Sequence, residues 1–327
     1  MKITTAIDTG YGYTKYCIGK NNKPPFMKNK FQTVINTFDK INNIDLKYYS
    51  KDDDIIIHYN NTYYQIGNTT SSDFFANVNT LNGEFHGSDA WKCIIFKILA
   101  KNFPKGTKKE DSLDLIIGLP LNQYQKKELI VNDLLKTIKF RDSKNKSYSF
   151  KFDNIVILPQ SAGSIFTFDN KIENYEICIV DIGHFTIDVA VFEHGQYNTK
   201  LSFAVNEGTH NISTKILDLL KCDFEIQDIP KAKLESDLIR GNFTFKGKTI
   251  DLEPYKLKVG NEYANKLIEL LKTRLGTMYD MINQYIVIGG GINLVFNSFK
   301  NVDIFSCETK DASFRNVLGF YNFNSIE

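Results

Sequence analysis

The chain has 327 residues, 42% of them hydrophobic and 24% charged, which is the composition of an ordinary globular protein with room for two domains. Its formal net charge of +2 excludes a chain-wide basic surface for neutralising nucleic-acid phosphates. The five cysteines form no Cys-x-x-Cys pair, and no apolar run is long enough to span a membrane. Because the apolar pattern begins directly after Met1, without a signal peptide, we expect a protein of the reduced cytosol.

The first predicted element is a strand, a turn and a second strand near the amino terminus. Ile3–Asp8 is an apolar strand that ends in a carboxylate, and Gly10 and Gly12 open the turn that follows. Lys15 lies seven residues after Asp8, where a lysine could reach a phosphate as a point charge. A lysine that simply faces solvent is the alternative, and this hairpin alone does not separate the two.

The rest of the first half predicts an insertion and then an α/β pattern. Residues Asn21–Asp89 are rich in Asn, Lys, Asp and Tyr and predict a small α+β insertion without a defensible catalytic residue. A helix capped by Ser88 or Asp89 follows and ends before Pro104. Leu113–Leu119 is an unbroken apolar run, typical of a central strand covered on both faces. We predict a helix from about Asn122 to Ile138.

Gln160 follows a predicted strand end and Pro159. Ala162 and Gly163, directly after it, permit close packing of a helix. A side-chain amide at this position could orient a water molecule or touch a metal-bound phosphate. An ordinary glutamine at a helix start is the alternative.

Ile177–Phe192 repeats the pattern of the first hairpin, because Asp181 and Gly183 have the spacing of Asp8 and Gly10. A carboxylate at the end of an apolar strand is costly to bury without a partner, and the glycine lets a ligand approach the backbone. Turn amides there form an anion-binding concavity, and the carboxylate can hold a hydrated cation. A turn aspartate that bonds its own backbone is the local alternative. The second copy favours two related lobes that face one ligand.

The next elements are a strand, two helices and a hairpin. Leu201–Val205 predicts the strand, and Gly208 then stands at the amino terminus of a helix, where it is a candidate neighbour of a phosphate or ribose. Ile229–Gly241 predicts a charged helix, whose charged face is usually solvated. Phe243–Leu252 predicts a short hairpin.

A long helix, a strand and three glycines complete the second half. The predicted helix spans roughly Tyr255–Asn283, and the strand Tyr285–Ile288 leads into Gly289–Gly291, where a flat ligand surface could lie against the backbone. This run differs from Gly-x-Gly-x-x-Gly and has no acidic partner about twenty residues later, so we do not expect a Rossmann site. Asp311–Phe323 predicts a closing helix that returns to the first lobe.

Six motifs, in this order and spacing, resemble the actin/sugar-kinase/heat-shock-ATPase superfamily, and within it the ParM type of bacterial actin-like plasmid proteins. The motifs are AIDTGYGYTK, IIGLPLNQYQ, ILPQSAG, IVDIGHFTID, YIVIGGGINL and DASFRNVLGFYNF. The resemblance covers almost the whole chain and is least distinctive over Asn21–Asp89 and Asp223–Leu252. It implies an α/β fold of two lobes, each a mixed β-sheet flanked by helices, with ATP and Mg²⁺ in the cleft between them.

The same resemblance implies a division into two domains. Domain I would comprise residues 1–160 and 305–327, with a small subdomain at about 21–89. Domain II would comprise residues 161–304, with a small subdomain at about 206–255.

The resemblance also implies roles for individual residues. Asp8 and Asp181 would hold Mg²⁺ through water, Lys15 would contact the phosphates, and Gln160 would orient the attacking water. The implied catalytic residues are therefore Gln160, Asp181 and Asp8. The remaining implied contacts to the nucleotide are Thr9, Gly10, Tyr11, Gly12 and Tyr13 in the first hairpin, Ile182, Gly183, His184, Phe185 and Thr186 in the second, Gly208 near the ribose, Lys233 and Asp237 near the purine, and Gly289, Gly290, Gly291 and Asn293 at the adenosine.

The second hairpin departs from the ParM pattern at one point. Relatives usually carry small residues, often glycine, after its Asp-x-Gly, whereas this chain has His184 and Phe185. The imidazole of His184 either faces the γ-phosphate or points to solvent at the cleft mouth, and the sequence does not decide between these readings.

The function implied by the resemblance is that of a Mg²⁺-dependent ATPase, with GTP as the alternative nucleotide, in the bacterial cytoplasm. It would polymerise head to tail and segregate a plasmid through an adaptor bound to centromeric DNA, with no direct contact to nucleic acid or membrane. Because a neutral glutamine is a weak general base, we expect slow hydrolysis. The alternative is a sugar-type kinase, which needs an aspartate base from the first lobe; Asp73, Asp89 and Asp114 are the available candidates.

Overall fold

The computed structural model describes residues 1–39, 55–67, 76–80, 82–108, 110–168, 174–226, 229, 231–299 and 304–326. It divides into two compact units, the first made of Met1–Phe166 and Asn316–Glu327 and the second of Thr167–Arg315. Among the described residues, no helix is long and apolar enough to cross a membrane. All five cysteines are free, and Cys17, Cys93 and Cys178 are buried, as expected for small apolar side chains in strands and helices.

The first unit contains eleven strands and two complete α-helices among the residues described. The elements are β1 (Lys2–Thr9), β2 (Tyr13–Lys20), β3 (Met27–Gln32), β4 (Ile35–Phe38), β5 (Ile57–Tyr59), β6 (Thr62–Ile66), β7 (Ala76–Asn77), α1 (Asp89–Asn102), β8 (Ser112–Leu119), α2 (Lys127–Leu134), β9 (Ile138–Asp142), β10 (Ser147–Phe150) and β11 (Asn154–Pro159). The main sheet has the order β11-β8-β1-β2-β3, and a second sheet has the order β10-β9-β5-β6-β4-β7.

Hydrophobic burial explains why β1 and β8 are the central strands. All but the first residue of each strand is buried, so both strands are covered on both faces, as predicted for Leu113–Leu119. Of the two predicted caps of α1, Ser88 is the one observed, because Ser88 Oγ accepts a hydrogen bond from Trp91 N at 3.3 Å.

The helix predicted from Asn122 to Ile138 was too long. A 3₁₀ segment, Leu121–Lys126, precedes α2, and Ile138 begins strand β9. In β9 buried and exposed residues alternate, with a charged side chain at each exposed position. This period of two is typical of a half-buried strand and outweighs the helical pattern before it.

The second unit contains one five-stranded sheet, a separate hairpin and helices. Its elements are β12 (Ile177–Ile182), β13 (Ile187–Glu193), β14 (Gln196–Val205), α3 (Thr209–Phe224), α4 (Lys231–Arg240), β15 (Asn242–Phe245), β16 (Lys248–Asp251), α5 (Glu253–Leu275), α6 (Met278–Met281), β17 (Gln284–Ile288), α7 (Ile292–Phe299) and β18 (Phe305–Cys307). Helix α8 (Arg315–Ile326) begins at the last residue of this unit and belongs to the first unit from Asn316.

The long helix predicted over Tyr255–Asn283 is divided in the structure. Helix α5 ends at Leu275, and Gly276 adopts φ +55°, a left-handed conformation that ends helices and that glycine reaches without strain. The short α6 then precedes β17. The apolar side of α5 is buried as expected, at Val259, Tyr263, Leu267 and Leu271.

The two main sheets have the same topology. In each, two antiparallel neighbours stand on one side of a central strand and two parallel strands stand on the other: β3-β2-β1-β8-β11 in the first unit and β14-β13-β12-β17-β18 in the second. The register is also repeated, because Asp8 pairs with Lys15 across β1 and β2, and Asp181 pairs with Asp188 across β12 and β13. The duplicated motif of the sequence is therefore a duplicated sheet.

Candidate functional site

Asp8 is the carboxylate of the first hairpin (β1, its turn and β2) and is only 3% exposed. Its Oδ2 accepts a hydrogen bond from Lys15 Nζ at 3.1 Å, and its Oδ1 accepts one from Gln160 Nε2 at 3.2 Å. A buried carboxylate requires partners of this kind. The structure thus brings three predicted residues together, and the ammonium group of Lys15 lies on Asp8 instead of facing solvent.

Gln160 is held by an unusual turn. Its N–H donates to Leu119 O at 2.8 Å, and the next residue, Ser161, has φ +67°, a left-handed conformation that is unfavourable for serine. Ser161 Oγ bonds to the Gln160 carbonyl, and Ser164 Oγ donates to Ser161 O at 2.7 Å. Strain of this kind persists only where the surroundings fix it and is concentrated at functional sites.

Two glycines allow α8 to pack closely beside Gln160. A Cβ on Gly163 would lie 2.1 Å from Phe320 Cε1, and one on Gly118 would lie 2.5 Å from Phe320 Cζ and 3.1 Å from Gln160 Cγ. Larger residues at either position would displace the helix or the glutamine. The predicted role of Gly163 in close packing is therefore what the structure shows, and its partner is the C-terminal helix.

The turn of the first hairpin is fixed by residues that the sequence reasoning missed. Trp91 Nε1 donates to Thr9 Oγ1 at 3.1 Å, and Thr33 Oγ1 donates to Gly10 O at 2.6 Å. The space at Gly10 is tight, since a Cβ there would lie 3.1 Å from Lys15 Nζ. Trp91 is the only tryptophan of the chain, and this was the one feature of the sequence that could have marked it as a functional candidate. Nothing in the sequence around Thr33 marked that residue.

His86 is a buried imidazole beside the same turn. It is 2% exposed, and its ring centroid lies 5.8 Å from that of Tyr11 and 6.1 Å from that of Trp91. Burial lowers the pKa of His86 to about 4; contact with the Thr9 backbone opposes this shift and the charge of Lys126 adds to it. The neutral imidazole is therefore the folded form across the neutral range.

We expect the free energy of unfolding to decrease as the pH falls from about 6.5 to about 4, because unfolded His86 takes up a proton near pH 6.5 and folded His86 only near pH 4. The resulting loss in the free energy of unfolding is about 2 kcal/mol between pH 7 and pH 5. Replacing His86 with phenylalanine, which suits the aromatic surroundings, should remove that component. Urea unfolding of both proteins at the two pH values measures it, and an equal loss in both would contradict the buried neutral state.

The second hairpin (β12, its turn and β13) carries Asp181 near the end of β12. Gly183 N donates to Thr186 O at 2.9 Å and closes the turn. The structure places Gly289 against the carboxylate: its φ is +100°, and a Cβ there would lie 2.2 Å from Asp181 Oδ1 and 2.5 Å from Ile182 O. The absence of a side chain at Gly289 is what makes room for Asp181.

The three predicted adenosine glycines differ in their surroundings. Gly291, like Gly289, is closely packed by the protein itself, since a Cβ there would lie 2.2 Å from Thr209 Cγ2 and 2.7 Å from Ile182 Cγ2. Gly290 is exposed, and the nearest atom to a Cβ there is Ser313 Cβ at 3.8 Å. Of the three, only Gly290 presents open backbone; Asn293, on the first turn of α7, is also exposed.

Gly208 packs the start of α3 against the second hairpin. A Cβ there would lie 2.4 Å from the carbonyl oxygen of His184. The first amides of the helix donate to hairpin carbonyls, Thr209 N to Gly183 O at 3.0 Å and His210 N to His184 O at 2.9 Å. These groups, which an anion would otherwise use, therefore hold the turn in place.

Asp188 occupies the position in the second hairpin that Lys15 occupies in the first. It is 6% exposed, and its Oδ2 accepts a hydrogen bond from Thr186 Oγ1 at 2.8 Å. The second hairpin thus pairs a carboxylate with a carboxylate where the first pairs a carboxylate with an ammonium group. The shared seven-residue spacing was visible in the sequence and would have found Asp188.

His184 lies against a residue of α4. Its Nε2 is 3.4 Å from Glu235 Oε1, and its ring meets the edge of Phe185 at a centroid distance of 4.4 Å. Neither sequence-based interpretation, a phosphate contact or a solvent-facing side chain, included this pair. His184 thus connects the second hairpin to α4.

The two predicted purine contacts on α4 bind each other. Asp237 is 1% exposed and forms ion pairs with Lys233, at 3.5 Å, and with Arg240. The Lys233 ammonium also lies 4.6 Å from the centre of the Phe243 ring. The expectation of a merely solvated charged face was wrong at Asp237, because its neighbours allow a charged group to be buried.

Two protein-family models match successive parts of the chain. The family model described as "Actin like proteins N terminal domain" matches residues 6–163, and that described as "Archaeal actin homologue MreB-like, C-terminal" matches residues 179–301. A comparison with curated protein sequences gave no match.

Solved structures match over the whole length. An archaeal actin homologue in complex with ADP has a TM-score of 0.75 at 17% identity, covering 99% of this chain and 100% of that chain. A 15-stranded ParM filament from Clostridium botulinum has a TM-score of 0.75 at 22% identity, covering 100% and 99%. Bacillus thuringiensis ParM with ATP has a TM-score of 0.72 at 14% identity, covering 99% and 98%.

The fold is the actin-like ATPase fold, as the sequence motifs predicted. Both parts of the chain match family models of actin-like proteins, and its fold is also that of the ParM structures among its matches.

Proposed function

We propose that this protein binds and slowly hydrolyses ATP, with GTP as the alternative nucleotide, and polymerises head to tail in the cytoplasm to segregate a plasmid through a DNA-bound adaptor. The observation that carries the proposal is the duplicated hairpin, with Asp8 and Asp181 at the same register of two sheets of equal topology. The likeness to ParM, including a filament, supports the polymer.

The residues of the first hairpin suit phosphoryl transfer. This chemistry requires mainly positioned groups and neutralised charge, and Lys15, Asp8 and Gln160 supply a cation, a carboxylate and an amide within one hydrogen-bonded cluster. A phosphate entering this cluster would compete with Asp8 for Lys15. Gln160 would then orient the attacking water, and as a neutral amide it would give slow turnover.

Mg²⁺ fits the available donors if most of its ligands are water and phosphate oxygens. Within the described ranges, no group of three or more His, Cys, Asp or Glu side chains could hold a metal ion. Mg²⁺ in nucleotide sites keeps several waters and uses one or two carboxylates, and Asp8 and Asp181 would be the carboxylates that hold it through water. Bound there, it would neutralise phosphate charge.

Two of the three candidate bases of the kinase alternative are held in ion pairs. Asp114 pairs with Lys2 at 3.3 Å and stands opposite Thr4, four residues and about 13 Å along the strand from the level of Asp8. Asp89 is engaged by Lys92 at 3.3 Å. Asp73 lies outside the described residues.

The test is assembly of the purified protein. With Mg²⁺ and ATP or GTP we expect a rise in light scattering, filaments in electron micrographs and phosphate release that follows assembly; without nucleotide we expect none of these. Absence of polymer with either nucleotide, together with phosphorylation of a sugar, would overturn the proposal in favour of the kinase.

A further inference from the structure

Strands β9 and β10 form a hairpin whose charge differs from that of the rest of the chain. Residues 136–151, which make up this hairpin and its flanks, contain six basic side chains and one acidic side chain, a net charge of +5. The whole chain has a net charge of +2, so the remainder of the molecule is net negative. We call residues 136–151 the basic hairpin.

The one acidic residue of the basic hairpin faces inward. Asp142 is 9% exposed, and its Oδ1 accepts hydrogen bonds from Lys144 N and Lys146 N, both at 2.9 Å. Its Oδ2 accepts a hydrogen bond from the Tyr148 hydroxyl group at 3.2 Å. The carboxylate therefore holds the turn between the two strands instead of balancing the cations on the outer face.

The outer face of the basic hairpin carries two cations and two hydroxyl groups. Buried and exposed residues alternate along both strands, and the exposed residues are Lys139 and Arg141 on β9 and Ser147 and Ser149 on β10. Ser147 stands opposite Arg141, and Ser149 stands opposite Lys139. Since a strand rises about 3.4 Å per residue, the two pairs of a cation and a hydroxyl group are about 7 Å apart on one face.

The two cations of β9 are not explained by the stability of the sheet. Among the residues described, neither Lys139 nor Arg141 forms an ion pair. A cross-strand partner of opposite charge would stabilise the sheet, but both partners are serines. Lysines that protect an open sheet edge from pairing with another chain stand on the edge strand. Here the edge strand is β10, whereas β9 is paired on both sides, with β10 and β5.

Two stacked rings continue the same face of the sheet. Arg141 stands opposite His58 on β5, and His58 stands opposite Tyr63 on β6. Residues directly opposite each other share a face, so both rings are on the face that carries the cations. The two ring centroids are 4.2 Å apart at an interplanar angle of 15°, and both residues are half-buried. The sheet thus presents cations and hydroxyl groups beside a pair of aromatic rings.

We propose that the basic hairpin and the rings of His58 and Tyr63 bind single-stranded nucleic acid. Phosphates are contacted in proteins by Lys, Arg and Ser side chains, which the outer face supplies in pairs. Bases stack on aromatic rings whatever their sequence, and an open sheet face gives a single strand access to both kinds of group. A duplex would reach the cations but keep its bases from the rings. This inference goes beyond the proposed function, in which only an adaptor contacts DNA, and it does not depend on the filament.

The test is the binding of a short fluorescein-labelled oligothymidine to the nucleotide-free protein, measured by fluorescence anisotropy at several salt concentrations. We expect the double variant Lys139→Gln/Arg141→Gln to bind at least about tenfold more weakly than the parent at low salt. The slope of log affinity against log salt should become shallower by about 1.4, because each phosphate contact on a single strand contributes about 0.7.

The matched control is Lys266→Gln/Arg274→Gln. It also removes one lysine and one arginine, but both are exposed on α5 of the second unit. Its affinity should stay within about twofold of the parent, and its salt slope should not change. Thermal unfolding checks that every variant is folded.

His58→Ala separates base stacking from charge. In buffer of about pH 8, at which histidine side chains are ordinarily uncharged, this variant should bind oligothymidine at least about fivefold more weakly and keep the parental salt slope. If His58→Ala is less stable than the parent, His58→Leu takes its place, because leucine keeps an apolar contact with Tyr63 and has no aromatic face.

Several outcomes would overturn the inference. They are no binding of oligothymidine by the parent, parental affinity of either the double variant or His58→Ala, and affinity for a duplex of the same length that equals the affinity for the single strand. Equally tight binding of phosphatidylserine vesicles or of polyglutamate would also overturn it, because the hairpin would then be a general surface for polyanions. Absence of filaments would overturn the proposed function alone.

Discussion

Replacing Gln160 with alanine is expected to slow phosphate release about 100-fold while leaving nucleotide binding nearly intact. A positioned group that assists proton transfer contributes about 10²–10⁴ in rate, and a neutral amide belongs at the low end of that range. The contact from Gln160 Nε2 to Asp8 Oδ1 at 3.2 Å disappears, but Lys15 still neutralises the carboxylate. Filaments of the variant should therefore persist longer after assembly, which phosphate release and light scattering together measure.

The matched control is Gln65→Ala, which removes another buried glutamine of the first unit. Gln65 is 3% exposed and lies on β6, in the second sheet and away from Asp8. The Gln65→Ala variant should hydrolyse nucleotide at the parental rate. Parental hydrolysis by Gln160→Ala would reject the role assigned to Gln160, and an equal loss in both variants would attribute the effect to stability.

Replacing Gly289 with alanine is expected to destabilise the second unit and to abolish nucleotide binding. The backbone at φ +100° is strained for any residue with a side chain, and the new methyl group would overlap Asp181 Oδ1 and Ile182 O. The backbone oxygen cannot move away by a side-chain rotation. We expect a cost of at least about 3 kcal/mol, which lowers the melting temperature by roughly 10 °C.

Gly290→Ala is the control for this substitution, because the neighbouring glycine has open space and no left-handed backbone. Its melting temperature should stay within about 2 °C of the parent. If Gly289→Ala melts at the same temperature as the parent, the close packing around Asp181 that the structure shows is contradicted. A selective loss of nucleotide affinity in Gly290→Ala would support the predicted adenosine contact.

Much of the fold could be predicted from patterns that are local in the chain. The runs Leu113–Leu119, whose one charged residue is Asp114, and Ile177–Val180 are otherwise apolar, and this pattern favours strands that are covered on both faces. The repeated Asp-x-Gly turns indicated two related sheets. The prediction failed at Ile138, where the helical period of 3.6 residues gives way to the strand period of two. It also failed at Gly276, which ends a helix although the apolar positions continue at helical spacing beyond it.

The candidate site was likewise predicted only in part. Asp8 and Gln160 were named from their positions at strand ends, and Lys15 was named from its spacing after Asp8. The hydrogen bonds of Asp8 to the other two follow because Lys15 stands opposite it on β2 and Gln160 follows β11 at the same edge of the sheet. Glu235, Trp91 and Thr33 were not named, because nothing within a few residues of them marks their role. Each contacts a turn residue that lies between 23 and 82 residues away in sequence.

The sequence by itself determined the duplicated strand–Asp-x-Gly–strand units, since spacing and apolar pattern are properties of the chain. The surroundings of these units are visible only in the tertiary structure. Lys15 forms an ion pair with Asp8, Asp188 stands opposite Asp181, and Glu235 lies beside His184. Gly289 has no side chain and so leaves room for the Asp181 carboxylate. The physical reason is that a short motif specifies its own backbone, whereas the partners of a buried charge are chosen by packing between distant segments.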